Sequence, residues 1–312
     1  MIRREFEWEC EDTTLRGFRF EPDGRQPKAS VLIVHGMGES SERYLRFASG
    51  LTDSLYAGVA YDLRGHGRTA RSVDELGNMG NGGFETAYKD LQCIASEMKR
   101  SNPELPIFLF AHSMGSMLAK GALYRDPSLF QAVILSGTTG PPRALLHLGK
   151  QIAKREIKRH GHLYQSAVLE KLSFGSYNRP FRPNRTGYDW LSRDRDEVDH
   201  YVADPLCGKI LCAGSFYAML LWILETHTPE NLVKIPKDLP ILVISGDRDP
   251  VGEMGKGIMQ LERLYRRYGL RGVEMRLYKD ARHELLHELN RDQVMMDIVE
   301  WMDQKCQLHL SK

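Results

Sequence analysis

The 312-residue chain is 42% hydrophobic and 27% charged, an ordinary globular balance with enough length to bury a sizeable core. A formal net charge of +2 gives no electrostatic argument for nucleic acid, so no nucleic-acid partner is expected. The longest apolar stretch, 213–224, contains Gly214 and Ser215 and falls short of the roughly 20 residues of a membrane span.

Along the chain, REFEWEC (4–10) and TLRGFRF (14–20) alternate apolar and polar residues on either side of a short turn, the pattern of a β-hairpin. ASVLIVHG (29–36) is a continuous apolar strand, of the kind covered on both sheet faces. Residues 43–55 carry Leu45, Phe47, Ala48 and Leu51 at helical spacing. GVAYDLRGHG (58–67) reads as a strand running into a glycine-rich turn, GNMGNGGF (77–84) as a loop, and 85–100 as a helix. PIFLFAHS (106–113) is another buried strand, followed by a helix over 114–125 and the strand QAVILSG (131–137). Strand–helix alternation then stops. It resumes with LPILVISGD (239–247), a helix over 255–268, the strand VEMRLYK (273–279) and a closing helix over 290–304. Val294, Ile298, Trp301 and Met302 share one face of that last helix.

This order predicts an α/β fold: a mostly parallel eight-stranded sheet, an N-terminal antiparallel hairpin, and helices on both faces. Residues 141–236 are helix-rich in pattern, bounded by Pro141 and Pro236, and hold no comparably apolar strand. They read as a helical cap inserted between two parts of one core, 1–140 and 237–312, and folded over the carboxyl ends of the strands. Five cysteines (Cys10, Cys93, Cys207, Cys212, Cys306) are widely spread without zinc-type spacing, and they read as reduced, mostly buried thiols. With no apolar segment of signal-peptide type in MIRREFEWEC, this points to a soluble, cytoplasmic protein.

Acyl transfer needs a nucleophile, a base, a group to orient the base, and donors for the oxyanion. Each has a candidate just after an apolar strand, and in an open α/β sheet such positions share one crevice. In PIFLFAHSMGSMLAKGAL a strand turns sharply into a helix at Ser113. That turn demands small residues two positions before and two after, and Ala111 and Gly115 stand there. Met114 opens the helix with a free N–H. SGDRDPVG (245–252) offers two acids, Asp247 nearer the strand and Asp249 before Pro250, and the residues alone leave both open. Of the 11 histidines, His283 follows the last strand and completes the chain order Ser, Asp, His; His112, His35, His66 and His287 are weighed beside it and set aside. HGMG (35–38) supplies the second oxyanion donor, the Met37 amide.

In this order and spacing HGMGESSERY, YDLRGHGRT, AHSMGSM, SGDRDPVG and ARHELLHE resemble the α/β-hydrolase superfamily. Within it they are similar to the serine-hydrolase branch of monoacylglycerol lipases and bacterial lysophospholipases. NRPFRPNRTGYDWLSRD (178–194) is also similar to bacterial members. The resemblance maps a G-x-x-D pattern onto Gly246 and Asp249 and so selects Asp249 over Asp247. It implies Ser113, Asp249 and His283 as catalytic residues, the Met37 and Met114 amides as the oxyanion hole, and no metal or cofactor. The implied activity is hydrolysis of small acyl esters such as monoacylglycerol or lysophospholipid through an acyl-enzyme on Ser113. Ala111 departs from the glycine that most members of the family have there, and Ser116 from the glycine that many have.

Within the insertion, Phe216, Met219, Leu220 and Trp222 are candidates to line an acyl-chain cavity. Residues 143–160 combine Arg143, Lys150, Lys154, Arg155, Lys158 and Arg159 with helix-spaced Leu145, Leu148, Ile152 and Ile157. Such a helix suits either a solvated cap or peripheral contact with an anionic lipid surface. An amide or peptide hydrolase, an acyltransferase on the same triad, and a non-catalytic ligand-binding protein are the rival readings.

Overall fold

The computed structural model describes residues 1–10 and 12–310, with side chains described to residue 306. Strands β1 (Ile2–Cys10) and β2 (Thr13–Glu21) form the hairpin, followed by β3 (Ala29–Val34), helix α1 (Leu45–Asp53) and β4 (Tyr56–Tyr61). Helix α2 (Phe84–Ser101), β5 (Ile107–His112), α3 (Met114–Arg125) and β6 (Ala132–Ser136) complete the first run. Between β6 and β7 lie α4 (Ala144–His160), α5 (Ala167–Ser173), α6 (Arg195–Ala203), α7 (Ala213–Glu225) and α8 (Pro229–Leu232). The chain closes with β7 (Ile241–Gly246), α9 (Lys256–Arg267), β8 (Val273–Tyr278) and α10 (Arg291–Leu310).

All eight strands form one sheet in the order β1-β2-β4-β3-β5-β6-β7-β8. The hairpin and its junction with β4 are antiparallel, and the remaining pairs are parallel. The period-2 alternation of a strand divides the central residues between the two faces. Leu32, Val34, Leu109 and Ala111 face one apolar core, which α2, α3, α7 and α9 cover. Val31, Ile33, Phe108 and Phe110 face the other, closed by α1 and α10 with Phe47, Val294, Ile298 and Trp301. Burial of each large side chain is worth about 1.5–3 kcal/mol, which is why strands apolar on both faces sit in the middle of the sheet.

The cysteine reading is corrected. Cys10, the last residue of β1, is disulfide-bonded to Cys93 in α2, with Cα atoms 6.1 Å apart. Cys207, Cys212 and Cys306 are free. The two bonded residues are 83 positions apart and meet only because the hairpin folds back over α2, which spacing in the sequence does not reveal. The disulfide removes the support that reduced thiols gave to a cytoplasmic location. Among the described residues no helix is long and apolar enough to cross a membrane.

Candidate active site

Four loops leave the carboxyl ends of parallel strands and converge. Ser113 follows β5 directly, with φ 49° and ψ −119°, a conformation that L-residues rarely adopt. The turn is possible because Gly115 has no side chain: a Cβ there would lie 2.4 Å from the His35 carbonyl oxygen and 2.7 Å from that of Val34. Ala111, two residues before Ser113, is fully buried within β5. The positions that the sequence required to be small are therefore small for different reasons, one against the neighbouring backbone and one inside the core.

The Ser113 hydroxyl lies 2.9 Å from His283 Nε2. The other ring nitrogen, Nδ1, lies 3.0 Å from both Asp249 carboxylate oxygens. Asp249 is fully buried and is held in turn by the Val251 N–H at 2.8 Å and the Ser245 hydroxyl at 3.3 Å. Asp247 is half-buried, takes no part in this chain, and has an unpartnered Oδ1. Burial disfavours a charged His283 imidazole, but the Asp249 charge and hydrogen bond outweigh it and hold the pKa above the ordinary histidine value. The adjacent His112 ring, 4.8 Å away, is pushed down to about 4 by burial and by the charge on His283, so it stays neutral.

The other histidines are occupied elsewhere. His35 Nε2 accepts the Leu63 N–H at 2.9 Å and ties the HGMG loop to the turn after β4. His66 Nδ1 lies 3.1 Å from the Arg64 carbonyl oxygen, and His287 Nε2 lies 3.0 Å from that of Arg43. Met37 and Met114 border the same space as Ser113. Met114 is the first residue of α3, where an N–H has no partner within the helix. Among the described residues neither methionine amide donates to another backbone group.

A buried charge network that the sequence reading missed braces this geometry. Glu39, in the loop after β3, accepts the Gly36 N–H at 2.5 Å and the Tyr44 hydroxyl at 3.0 Å. Arg43 reaches Glu39 at 3.1 Å and binds Glu284 through both terminal nitrogens, at 2.5 and 2.7 Å. The guanidinium thus joins the HGMG loop to the residue after His283. Burial raises the Glu284 pKa, but Arg43 dominates and holds it down at about 2. The sequence signal was present: ESSERY follows HGMG directly, and Glu284 follows His283, yet charged residues in loops ordinarily face water.

Two cavities meet at Ser113. One, of about 370 Å³, is walled by apolar side chains that include Met114, Met117, Phe216, Met219, Leu220 and Ile223. The other, of about 360 Å³, is bordered by Glu170, Lys171, Tyr188, Tyr201 and Lys209. Met37, Ser113, Phe174 and Trp190 border both. Three of the four expected cavity residues, Phe216, Met219 and Leu220, are found there. Trp222 is not, and that expectation is corrected. Its ring lies against Tyr88 and Phe84 of α2 at 5.4 and 6.2 Å, and its Nε1–H donates to the Met117 carbonyl at 3.0 Å. The indole anchors α7 to the core, on the side of the helix away from the cavity.

A model of the family described as Hydrolase_4, serine aminopeptidase, S33, matches residues 25–290. The chain belongs to that family. Monoglyceride lipase of Homo sapiens is 27% identical over 291 residues, covering 92% of this chain and 86% of the human one. Monoacylglycerol lipase of Mycolicibacterium smegmatis is 27% identical over 281 residues, 88% of each chain. Among solved structures, a thermostable carboxyl esterase from Bacillus coagulans, in complex with glycerol, superposes with a TM-score of 0.90 at 28% identity, covering 98% of this chain and 99% of that one. The α/β-hydrolase architecture expected from the sequence is thus the architecture found.

The two aspartates of SGDRDPVG separate by experiment. Asp249→Asn is expected to lower kcat by about 10⁴-fold, because the amide supports the wrong imidazole tautomer. Asp247→Asn is expected to leave kcat within a few-fold. Steady-state hydrolysis of a p-nitrophenyl ester measures both, and the reverse order would reassign the acid.

Proposed function

We propose that the protein is a serine ester hydrolase acting on monoacylglycerol-type esters, with Ser113, His283 and Asp249 as its catalytic residues. The observation that carries this reading is the position of Ser113 at the junction of two cavities, one walled mainly by apolar side chains and one of mixed lining that adds Glu170, Lys171, Tyr188, Tyr201 and Lys209, each large enough for one half of such an ester. The acyl chain lies along Met114, Met117, Phe216, Met219 and Leu220; the alcohol occupies the side of Tyr188, Tyr201 and Lys209. Residues 141–236 form the cap that selects the substrate.

His283 takes the Ser113 proton as Oγ attacks the ester carbonyl. Asp249 holds the imidazole with Nδ1–H toward the carboxylate and stabilises the imidazolium. The Met37 and Met114 amides donate to the oxyanion. When the tetrahedral intermediate collapses, the bond between carbonyl carbon and alkoxy oxygen breaks and the alcohol leaves with the proton from His283. Water, deprotonated by the same histidine, then releases the fatty acid and restores Ser113. The names of the esterase and lipase relatives support ester over amide chemistry, although the family description names an aminopeptidase. A lysophospholipid would use the same acyl cavity, with its phosphate toward Lys171 and Lys209.

Activity toward p-nitrophenyl esters of increasing chain length is expected to rise from acetate to medium chains. Met219→Trp, which fills the apolar cavity, is expected to move the optimum to shorter chains, and Ser113→Ala to abolish turnover by about 10⁴-fold or more. A preference for acetate, or faster cleavage of arylamides, would contradict the reading.

Peripheral contact of residues 143–160 with lipid is part of the same proposal. Leu145 and Leu148 are 64% and 53% exposed at the rim of the apolar cavity, while Lys154, Arg155, Lys158 and Arg159 are exposed further along α4. Co-sedimentation with anionic vesicles is expected at low salt and loss of it at high salt. No recovery with anionic vesicles would remove the lipid contact, and equal recovery with neutral ones would remove the part of the basic side chains in it.

A further inference from the structure

We infer that residues 178–194 serve as a fixed brace for the loop carrying His283, and that Glu288 is the positioning residue through which the brace acts. The inference rests on the proposed role of His283 as the base. Asp249 and Ser113 contact only the imidazole, so neither fixes the backbone from which that ring projects. The loop runs from the end of β8 to the start of α10, and its outer side is covered by residues 178–194.

The two segments are joined along their backbones. The His283 N–H donates to the Trp190 carbonyl at 3.4 Å, and the Glu284 N–H to that of Leu191 at 2.8 Å. The Ser192 hydroxyl donates to the His287 carbonyl at 2.8 Å. The Arg282 guanidinium bonds the Asp189 and Ser192 carbonyls. The Trp190 ring lies 5.0 Å from the imidazole of His283.

The fully buried Glu288 carboxylate closes the joint. One oxygen accepts the Arg282 N–H at 2.9 Å and the Arg193 N–H at 3.0 Å. The other accepts Arg193 Nε at 2.7 Å and the Leu289 N–H at 2.9 Å. All four donors point at one carboxylate, and two of them come from the brace. Arg193 Nη2 continues to Asn290 at 2.8 Å. A guanidinium–carboxylate bond is short and about twice as strong as a neutral one, so the Arg193–Glu288 contact reinforces the other bonds between the two segments. The residue before His283 is bonded to Glu288 directly. The brace is itself tied: Asn178 accepts the Trp190 N–H at 2.9 Å and donates to the Thr186 carbonyl at 2.7 Å. The stretch NRPFRPNRTGYDWLSRD thereby has a role that substrate selection does not supply.

Glutamine at 288 keeps the shape but replaces one acceptor by an NH₂ group aimed at two donors. A displacement of about 1 Å at the base is enough to cost on the order of 10²-fold. In Glu288→Gln, kcat on a soluble p-nitrophenyl ester is expected to fall about 10- to 100-fold. KM should change less than kcat, within about three-fold, because Glu288 itself borders neither cavity. The acid limb of kcat/KM is expected to move to lower pH, because a histidine less well seated on Asp249 loses the interaction that raises its pKa. Near-UV circular dichroism and active-site titration with a fluorophosphonate normalise each rate to folded, competent enzyme. If Glu288→Gln does not fold, Arg193→Met, which removes only brace-side bonds, carries the same expectation at a smaller loss. The double variant should lose no more kcat than Glu288→Gln alone. A folded variant with unchanged kcat and acid limb, or one that changes KM alone, overturns the brace. Full activity in Ser113→Ala would instead overturn the underlying catalytic reading, leaving the two failures distinct.

Discussion

The site depends on one strained turn. Ser113 is held in a backbone conformation that costs on the order of 1–3 kcal/mol, and the surrounding structure must over-determine it. It does so from three sides. The strand before the turn is locked in the middle of the sheet between β3 and β6. The helix after it starts against the carbonyls of Val34 and His35, so closely that only glycine fits at 115. The Ser113 N–H donates to the Ser136 carbonyl at 2.8 Å, at the end of the neighbouring strand. Strand order, helix packing and the small residue are thus one constraint. Its result is a hydroxyl raised above the sheet, within 2.9 Å of a histidine from another loop.

Charge is arranged around that hydroxyl with equal economy. Three buried carboxylates, Glu39, Asp249 and Glu284, surround His283, and Arg43 neutralises two of them by direct bonds. Asp249 keeps its interaction for the imidazole. The neighbouring His112, buried and neutral, adds no positive charge beside the base. Removing one member of such a network would leave a buried charge uncompensated, and Arg43 ties the two loops together through these contacts. Phe174 and Trp190 stand between the two cavities. The Trp190 indole thus borders both cavities and also lies against the His283 ring.

Much of this was legible in the sequence, for physical reasons. Strands buried on both faces are long apolar runs, so the succession of strands and helices and the loops at the strands' carboxyl ends followed from pattern, whereas the crossed placement of β3 and β4 in the sheet did not. Ser113 and His283 were marked by their positions after β5 and β8. Choosing between Asp247 and Asp249 was not possible from the residues themselves, because a strand end does not reveal which of two nearby side chains turns inward; the family pattern chose. Trp222 was misplaced because helical spacing gives a face but not what the face meets. Arg43, Glu39 and Glu284 were missed because charged loop residues are normally solvated, and only three-dimensional pairing shows them buried. The Cys10–Cys93 bond was missed for the same reason: its partners meet through the fold and lie far apart in sequence.

The central claim is that Ser113 is a nucleophile activated by its position. Treating the native protein with a fluorophosphonate and mapping the modified peptide by mass spectrometry tests it most directly. One adduct is expected, on Ser113, forming rapidly in the native protein and absent from the Ser113→Ala variant. An adduct on another residue, or none on the folded native protein, would contradict it and favour a ligand-binding protein on a hydrolase fold.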